Sequence, residues 1–198
     1  MIPRHFLIVT GVLFALAIAM AVYVWELRRR ETLAPIETRT VQPIAPPASG
    51  RTESVTFWVA YDAPAQLRPQ SASVPLSSGR QQRAQELMRF LLEIYKDKNS
   101  SHRMAPDAQV RDVYLVDAGT AVLDVNASFA GGHTSGVLAE ELTIASLVQT
   151  LSASIPGLTR VKILVDGKER PSLAGHADLS GFYDVAQVTE LAKALAGQ

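Results

Sequence analysis

The chain has 198 residues, 47% of them apolar, a composition that suits one globular domain with a sizeable hydrophobic core. The 19 basic and 19 acidic residues balance, which argues against a nucleic-acid-binding protein, since such proteins usually carry a basic excess or stripe. The sequence contains no cysteine, which argues against disulfides, thiolate metal sites, a cysteine nucleophile and a lipid-modified cysteine anchor.

A long apolar run stands near the start of the chain. Residues 6–25 read FLIVTGVLFALAIAMAVYVW and include no charged residue. An α-helix needs about 20 apolar residues to cross the hydrocarbon core of a bilayer. Tyr23 and Trp25 end the run, where aromatic rings favour the membrane interface. We therefore expect a transmembrane helix over residues 6–25, preceded by a short flank of residues 1–5.

Two questions about this segment stay open. Ala19, Met20 and Ala21 resemble a small-x-small cleavage site, so a cleaved signal peptide is an alternative to an anchor. The apolar run continues past that site, which favours an uncleaved anchor. Arg28–Arg30 follow the run and only Arg4 precedes it, so the positive-inside tendency alone would keep the body of the chain in the cytoplasm.

The next segment, residues 26–53, is rich in proline and shows no lasting apolar period. Its prolines are Pro35, Pro43, Pro46 and Pro47. This composition predicts an extended linker that holds a domain away from the bilayer. A disordered tether that only sets how far the domain can reach is an equally good interpretation.

A folded domain is predicted over residues 54–182. Alternating apolar residues in Ser54–Tyr61 predict a strand, and the proline-containing residues 62–79 predict a turn-rich connection. Arg80–Lys96 shows helical spacing. The apolar stripe of this helix consists of Ala84, Leu87, Met88, Leu91 and Tyr95.

The second half of the domain adds a hairpin, a helix and a strand, and a terminal helix follows the domain. The predicted elements are strands Val110–Val116 and Thr120–Phe129, helix Gly136–Ser152, strand Thr159–Val165 and a C-terminal helix within residues 183–198. The inward residues of the middle helix are predicted to be Val137, Ile144, Leu147, Val148 and Leu151. The order β-α-β-β-α-β predicts an α+β fold, a two-layer sandwich with two helices on one face of a mostly antiparallel sheet.

The loop AGGHTSG, residues 130–136, is the main candidate for chemistry. His133 and Ser135, with Asp124 on the preceding strand, would be the members of an acyl-transfer site, but no nucleophile-elbow motif accompanies them. An anion could bind at the following helix start, although the loop lacks a P-loop ending. The favoured interpretation is a loop leading into a helix, with Gly131 and Gly132 reversing the chain and Thr134 or Ser135 capping the helix.

Two further expectations concern binding. The four histidines show no metal-ligand spacing, so neither a metal site nor a cofactor is expected. Trp58 and Thr56 alternate with the predicted core residues of their strand, so they would lie on the open face of the sheet and form a possible interaction surface. The alternative is that the proline-rich residues 62–79 fold over Trp58.

Four stretches in this order resemble the GerMN domain, named from a spore-germination and sporulation protein. They are SVTFWVAY (54–61), MAPDAQVRDVYLVDAGTAVLDVNASF (104–129), GVLAEELTIASLVQTLSA (136–153) with Glu140, Glu141 and Thr150, and GLTRVKILVDGK (157–168) with the later LAGHADLS (173–180). The resemblance implies an interaction module outside the cytoplasmic membrane, similar to ring-building domains, with no established catalytic residues to carry over.

We therefore expect a non-enzymatic, single-pass membrane protein of the cell envelope, with the domain outside the cytoplasmic membrane and a protein partner or self-assembly as its role. One alternative is an envelope enzyme or cell-wall-ligand-binding protein that uses the loop Gly131–Gly136. A further alternative is a cytoplasm-facing membrane adaptor, which Arg28–Arg30 support.

Overall fold

The computed structural model describes residues 20, 23 and 52–196, and residues 52–196 belong to the unit Pro47–Gln198. The strands are β1 Thr52–Asp62, β2 Ala65–Pro75, β3 Val110–Leu115, β4 Thr120–Val125, β5 Arg160–Val165 and β6 Tyr183–Asp184. The helices of this region are α1 Arg80–Lys96, α2 Ala127–Gly131, α3 Val137–Ser154 and α4 Val185–Ala196. The predicted α+β class is confirmed.

The predicted transmembrane segment, residues 6–25, lies outside the described residues except for Met20 and Tyr23, which are helical and exposed. Within the described part of the chain, no helix combines the length and the apolar character needed to cross a membrane.

The prediction of a single sheet is wrong, because β1 and β2 form a separate antiparallel hairpin. The proline-containing stretch 62–79, expected to be turns, supplies β2. Pro69 fits in this strand because it has no N–H to donate and faces Trp58, whose N–H and carbonyl both bond to α3. The Trp58 N–H instead donates to Thr150 Oγ1 at 3.0 Å, and the Trp58 carbonyl accepts from Ser146 Oγ at 2.5 Å. Side chains of helix α3 therefore satisfy the backbone hydrogen bonds on the outer edge of β1 at this point.

The second sheet has the order β3-β4-β5-β6, with β4 and β5 parallel and the other neighbours antiparallel. Strand β4 ends at Val125, so the predicted strand to Phe129 is wrong. Asn126 ends the strand because its side chain accepts the N–H of Phe129 and caps α2. The long crossover between β4 and β5 includes α3, as parallel pairing requires.

The core confirms the helical stripe predicted for α1, since all five of its residues are buried. Helix α3 contacts β1, α1 and α4, and its residues 142–151 are buried on all sides. Val137, predicted to face inward, is 56% exposed because it lies in the first turn, ahead of these contacts. The exposure of Val137 is therefore decided by its position in the first turn and not by its apolar character.

The outer edge of β3 is covered by side chains of α1. The Gln81 amide donates through Nε2 to the Val113 carbonyl and accepts the Leu115 N–H at 2.9 Å. It thus forms the two bonds that a neighbouring strand would form, which blocks edge pairing there.

Candidate functional site

The loop between α2 and α3 leads directly into α3, but neither predicted cap is present. Gly136 is the N-cap residue and forms no side-chain cap, and Ser135 Oγ donates instead to the Ala174 carbonyl at 3.1 Å. Glu140 reaches back to accept the Gly136 N–H at 3.2 Å. Gly132 packs so closely on Ala105 that a Cβ at this position would lie 2.6 Å from the Ala105 Cβ. The loop is therefore fixed by packing and by Glu140 rather than by a hydroxyl cap.

The Glu140 carboxylate is fully buried and fastens the segment after β5 to α3. One oxygen, Oε2, accepts three backbone N–H groups, those of Ala174, His176 and Ala177, at 3.0, 2.9 and 2.8 Å. The other, Oε1, contacts His176 Nδ1 at 2.9 Å. A charged acceptor with this many donors is among the stronger hydrogen-bonding arrangements in proteins. The sequence resemblance includes Glu140, but helical spacing alone gave it no such role.

Glu140 should make the domain sensitive to acid. Burial opposes ionisation, but the hydrogen bonds from His176 and the backbone N–H groups of Ala177 and Ala174 outweigh it and hold the pKa at about 2. Because this folded-state pKa lies below the usual 4.5, the stabilisation is complete above about pH 4.5 and is lost as the pH falls toward 2. We expect the difference in unfolding free energy between wild type and Glu140→Gln to shrink over this range. A difference that stays constant on acidification would contradict this assignment.

His133 belongs to a buried polar cluster rather than to a nucleophilic site. Its Nε2 lies 2.6 Å from Thr143 Oγ1, and the Nε2 of His102 lies 2.7 Å from the same oxygen. Asp62 Oδ1 is 2.6 Å from His102 Nδ1. Asp62, His102 and Thr143 thus have the order of an acid, a base and a hydroxyl, but Thr143 is fully buried and no substrate could reach it.

The structure does not assemble the predicted trio of His133, Ser135 and Asp124. Ser135 bonds to the loop after β5, and Asp124 accepts the Gly167 N–H at 2.7 Å and pairs with Arg111 at 3.4 Å. The sequence separation of His102 and His133 concealed their contact, because only the crossover geometry brings the two loops together.

Trp58 and Thr56 are half-buried rather than open, because β2 and α3 flank their strand. Trp58 packs against the core, and Thr56 lines a surface groove of about 560 Å³ that includes Arg80 and Arg83. Arg83 is already paired with Glu53 at 2.6 Å. The role of Trp58 and Thr56 in binding a partner stays a prediction.

A more exposed apolar surface lies on the second sheet, on the face opposite the core. Tyr114 of β3 pairs with Val122 of β4, and Val122 pairs with Lys162 of β5, whose side chain is buried. Phe182 lies beside this row, with the Arg160 guanidinium carbon 4.9 Å and the Lys162 Nζ 5.8 Å from its ring centroid. Tyr114 is 45%, Val116 67% and Phe182 53% exposed. We call Tyr114, Val116, Val122 and Phe182 the open sheet face.

No group of three or more histidine, aspartate or glutamate side chains able to hold a metal ion occurs among the residues that the structure describes. The described histidines His102 and His133 direct their Nε2 atoms to a hydroxyl, and His176 directs its Nδ1 to Glu140.

The first GerMN domain of the sporulation protein GerM from Bacillus subtilis has the same fold, with a TM-score of 0.50 at 18% identity over 65% of this chain and 93% of that one. The tandem GerMN domains of that protein give a TM-score of 0.49 at 18% identity, over 67% of this chain and 46% of theirs. A Clostridium perfringens protein described as a lipoprotein gives 0.46 at 19% identity, over 68% and 88%.

Among curated proteins, none matches this sequence. The family model Germane, described as sporulation and spore germination, matches residues 55–171, from β1 through β5 and the first residues after β5. The match takes in more than half of the chain and all but the last strand of the two sheets. This protein therefore belongs to the Germane family of sporulation and spore-germination domains.

Proposed function

We propose that this protein is a non-enzymatic, membrane-anchored component of the cell envelope, whose GerMN-type domain binds a protein partner or assembles with further copies. The proposal combines the Germane family membership of residues 55–171 with the surface that the domain presents. The open sheet face is the observation that carries it.

The open sheet face has the composition of a protein contact. Its centre holds one tyrosine, one phenylalanine and two valines, while Arg160 lies at its rim. Aromatic residues with neighbouring arginines are enriched where proteins bind one another. The opposite face of the same strands, with Val113, Leu123 and Ile163, is fully buried in the core. The exposed apolar residues are thus not needed to build the fold.

The loop Gly131–Gly136 supports a structural role rather than an enzymatic one. His133 and Ser135 form their hydrogen bonds within the fold, to Thr143 and to the Ala174 carbonyl. A nucleophile must be free to meet a substrate and must be held by its base. Ser135 meets neither requirement, because its hydroxyl donates to the Ala174 carbonyl and not to a histidine.

Residues 6–25 and the proline-rich residues 26–53 support the envelope part of the proposal. The apolar run has the length of a membrane span, and the linker has the composition of a spacer. The three arginines Arg28–Arg30 favour the opposite orientation, so orientation is the property to measure.

The experiment is a pair of reporter fusions after Gln198, one active only outside the cytoplasmic membrane and one active only in the cytoplasm. We expect activity from the first and none from the second. A matched variant with Arg28–Arg30 changed to serine should give the same result. Activity from the cytoplasmic reporter alone would overturn the envelope placement and favour a cytoplasm-facing adaptor.

A further inference from the structure

Two imidazoles meet at one hydroxyl in the interior of the domain. The Nε2 atoms of His102 and His133 lie 2.7 and 2.6 Å from Thr143 Oγ1, and the ring centroids are 5.8 Å apart. All three side chains are buried. Four segments thereby come together: the β1–β2 turn through Asp62, the loop after α1, the loop before α3, and α3 itself.

The outer nitrogen of each ring faces an atom that only accepts hydrogen bonds. His102 Nδ1 lies 2.6 Å from Asp62 Oδ1, and His133 Nδ1 lies 2.7 Å from the Thr134 carbonyl oxygen. The ionised Asp62 and the Thr134 carbonyl have no hydrogen to give. Both Nδ1 atoms therefore carry a hydrogen.

The contacts around Thr143 Oγ1 then have too few hydrogens. If both rings were neutral, both Nε2 atoms would be acceptors, and the Thr143 hydroxyl would have one hydrogen for three acceptors, the two nitrogens and the Ala139 carbonyl oxygen 3.1 Å away. One short contact would then set a nitrogen lone pair against an oxygen lone pair. A hydrogen on the Nε2 of one ring removes this conflict, because that ring donates to Thr143 and Thr143 donates to the other.

We propose that His102, Thr143 and His133 hold one proton more than two neutral imidazoles would, and that this proton fastens the loop 131–136 to α3 as a pH-sensitive lock. The proton resides on His102, whose other nitrogen faces the Asp62 carboxylate. Burial lowers the pKa of His133, which agrees with a neutral ring there.

The other ionisable groups around the cluster leave this placement unchanged. The Tyr95 ring of α1 stands edge-on to His102 at 5.1 Å, and burial raises its pKa to about 12, so it stays neutral. Glu140 of α3 uses its carboxylate on the segment after β5. Asp62 is therefore the charge that directly faces His102, and its side chain is 38% exposed, which gives the proton a route to solvent.

Both contacts with Thr143 are favourable when the cluster holds one extra proton or two. One of them is lost when it holds none. A second proton, on His133, lets the Thr143 hydroxyl turn to the Ala139 carbonyl, which lies 3.1 Å away. Removal of the first proton leaves one contact repulsive. His133 is the partner that moves away, because its other ring nitrogen contacts only the adjacent Thr134 carbonyl, whereas His102 is held by Asp62. Raising the pH should therefore loosen the loop before α3.

The test is nitrogen NMR of the histidine rings in the full chain, held in detergent micelles, between about pH 5 and about pH 9, the range that spans imidazole titration. At neutral pH we expect His102 to be protonated on both nitrogens and His133 to be neutral with its hydrogen on Nδ1. Once the pH is high enough that neither ring is protonated on both nitrogens, we expect faster amide exchange in residues 131–136 after correction for the intrinsic effect of pH.

Two substitutions of Thr143 separate this lock from simple packing. Thr143→Val keeps the shape without the hydroxyl, so a ring with hydrogens on both nitrogens has no acceptor for its Nε2–H, and its signal should be weaker at neutral pH than in the wild type. Thr143→Ser keeps the hydroxyl and should behave as the wild type. Two neutral rings at neutral pH in the wild type, or ring signals at neutral pH that are the same in the wild type and Thr143→Val, would overturn the proposal. Should Thr143→Val not fold, the wild-type spectrum with Thr143→Ser decides.

Discussion

Replacing Glu140 with glutamine is expected to lower the free energy of unfolding by about 3 kcal/mol, since breaking a buried, fully paired charge is among the costliest single changes. The amide keeps the size of the side chain but offers one oxygen where the carboxylate offers two. With that oxygen on the N–H groups of Ala174, His176 and Ala177, its NH₂ group faces the Gly136 N–H, which Oε1 of the carboxylate accepts. The measurement is urea unfolding of the full chain in detergent, followed by circular dichroism.

Glu141→Gln is the matched control, because the same chemical change falls on the next residue, whose side chain is partly exposed. We expect it to alter stability by no more than about 0.5 kcal/mol, as surface substitutions usually do. Equal effects of the two variants would show that the Glu140 contacts do not hold the segment after β5 in place.

Phe57→Ala should have an effect of comparable size, about 4 kcal/mol, since deletion of a buried aromatic ring leaves a cavity as well as losing its transfer free energy. Phe57 is among the largest fully buried side chains and lies on the inner face of β1. Because β1 belongs to the two-stranded hairpin, its attachment to the helices depends on this face. Urea unfolding again measures the loss.

Phe182→Ala removes the same ring from an exposed position and is the control for Phe57→Ala. Its contacts with Arg160 and Lys162 are cation–π contacts at an exposed site, worth about 0.5–1 kcal/mol. A loss as large as that of Phe57→Ala would mean that Phe182 supports the fold, and it would remove the reason to treat it as a contact residue.

Sequence periodicity predicted the parts of the fold that depend on local pattern. Helix α1 has the predicted limits, Arg80 and Lys96, because its apolar residues recur at helical spacing and one side alone is buried. Strand β2 was missed because Pro69 is usually a strand breaker, and only the pairing with Trp58 shows that no hydrogen bond is needed there. Local rules cannot supply such a pairing register.

The candidate site was beyond sequence reasoning for a related reason. Glu140 appeared only in the stretch that carries the family resemblance, and His133 appeared as a candidate residue of the loop before α3. Their actual partners, the backbone of residues 174–177 and Thr143 with His102, come from distant parts of the chain. A buried glutamate or histidine has no periodic signature, whereas a buried leucine has one. The sequence resemblance included Glu140 without giving the reason.

The central claim, that the open sheet face binds a protein, is tested most directly by photo-crosslinking in living cells. A photoreactive amino acid replaces Tyr114, and in a matched chain it replaces the exposed Glu93 of α1. We expect a discrete protein adduct from position 114, none of that size from position 93, and its loss when Val116 and Phe182 are both changed to serine. Adducts that are the same at both positions, or none at position 114, would contradict the claim.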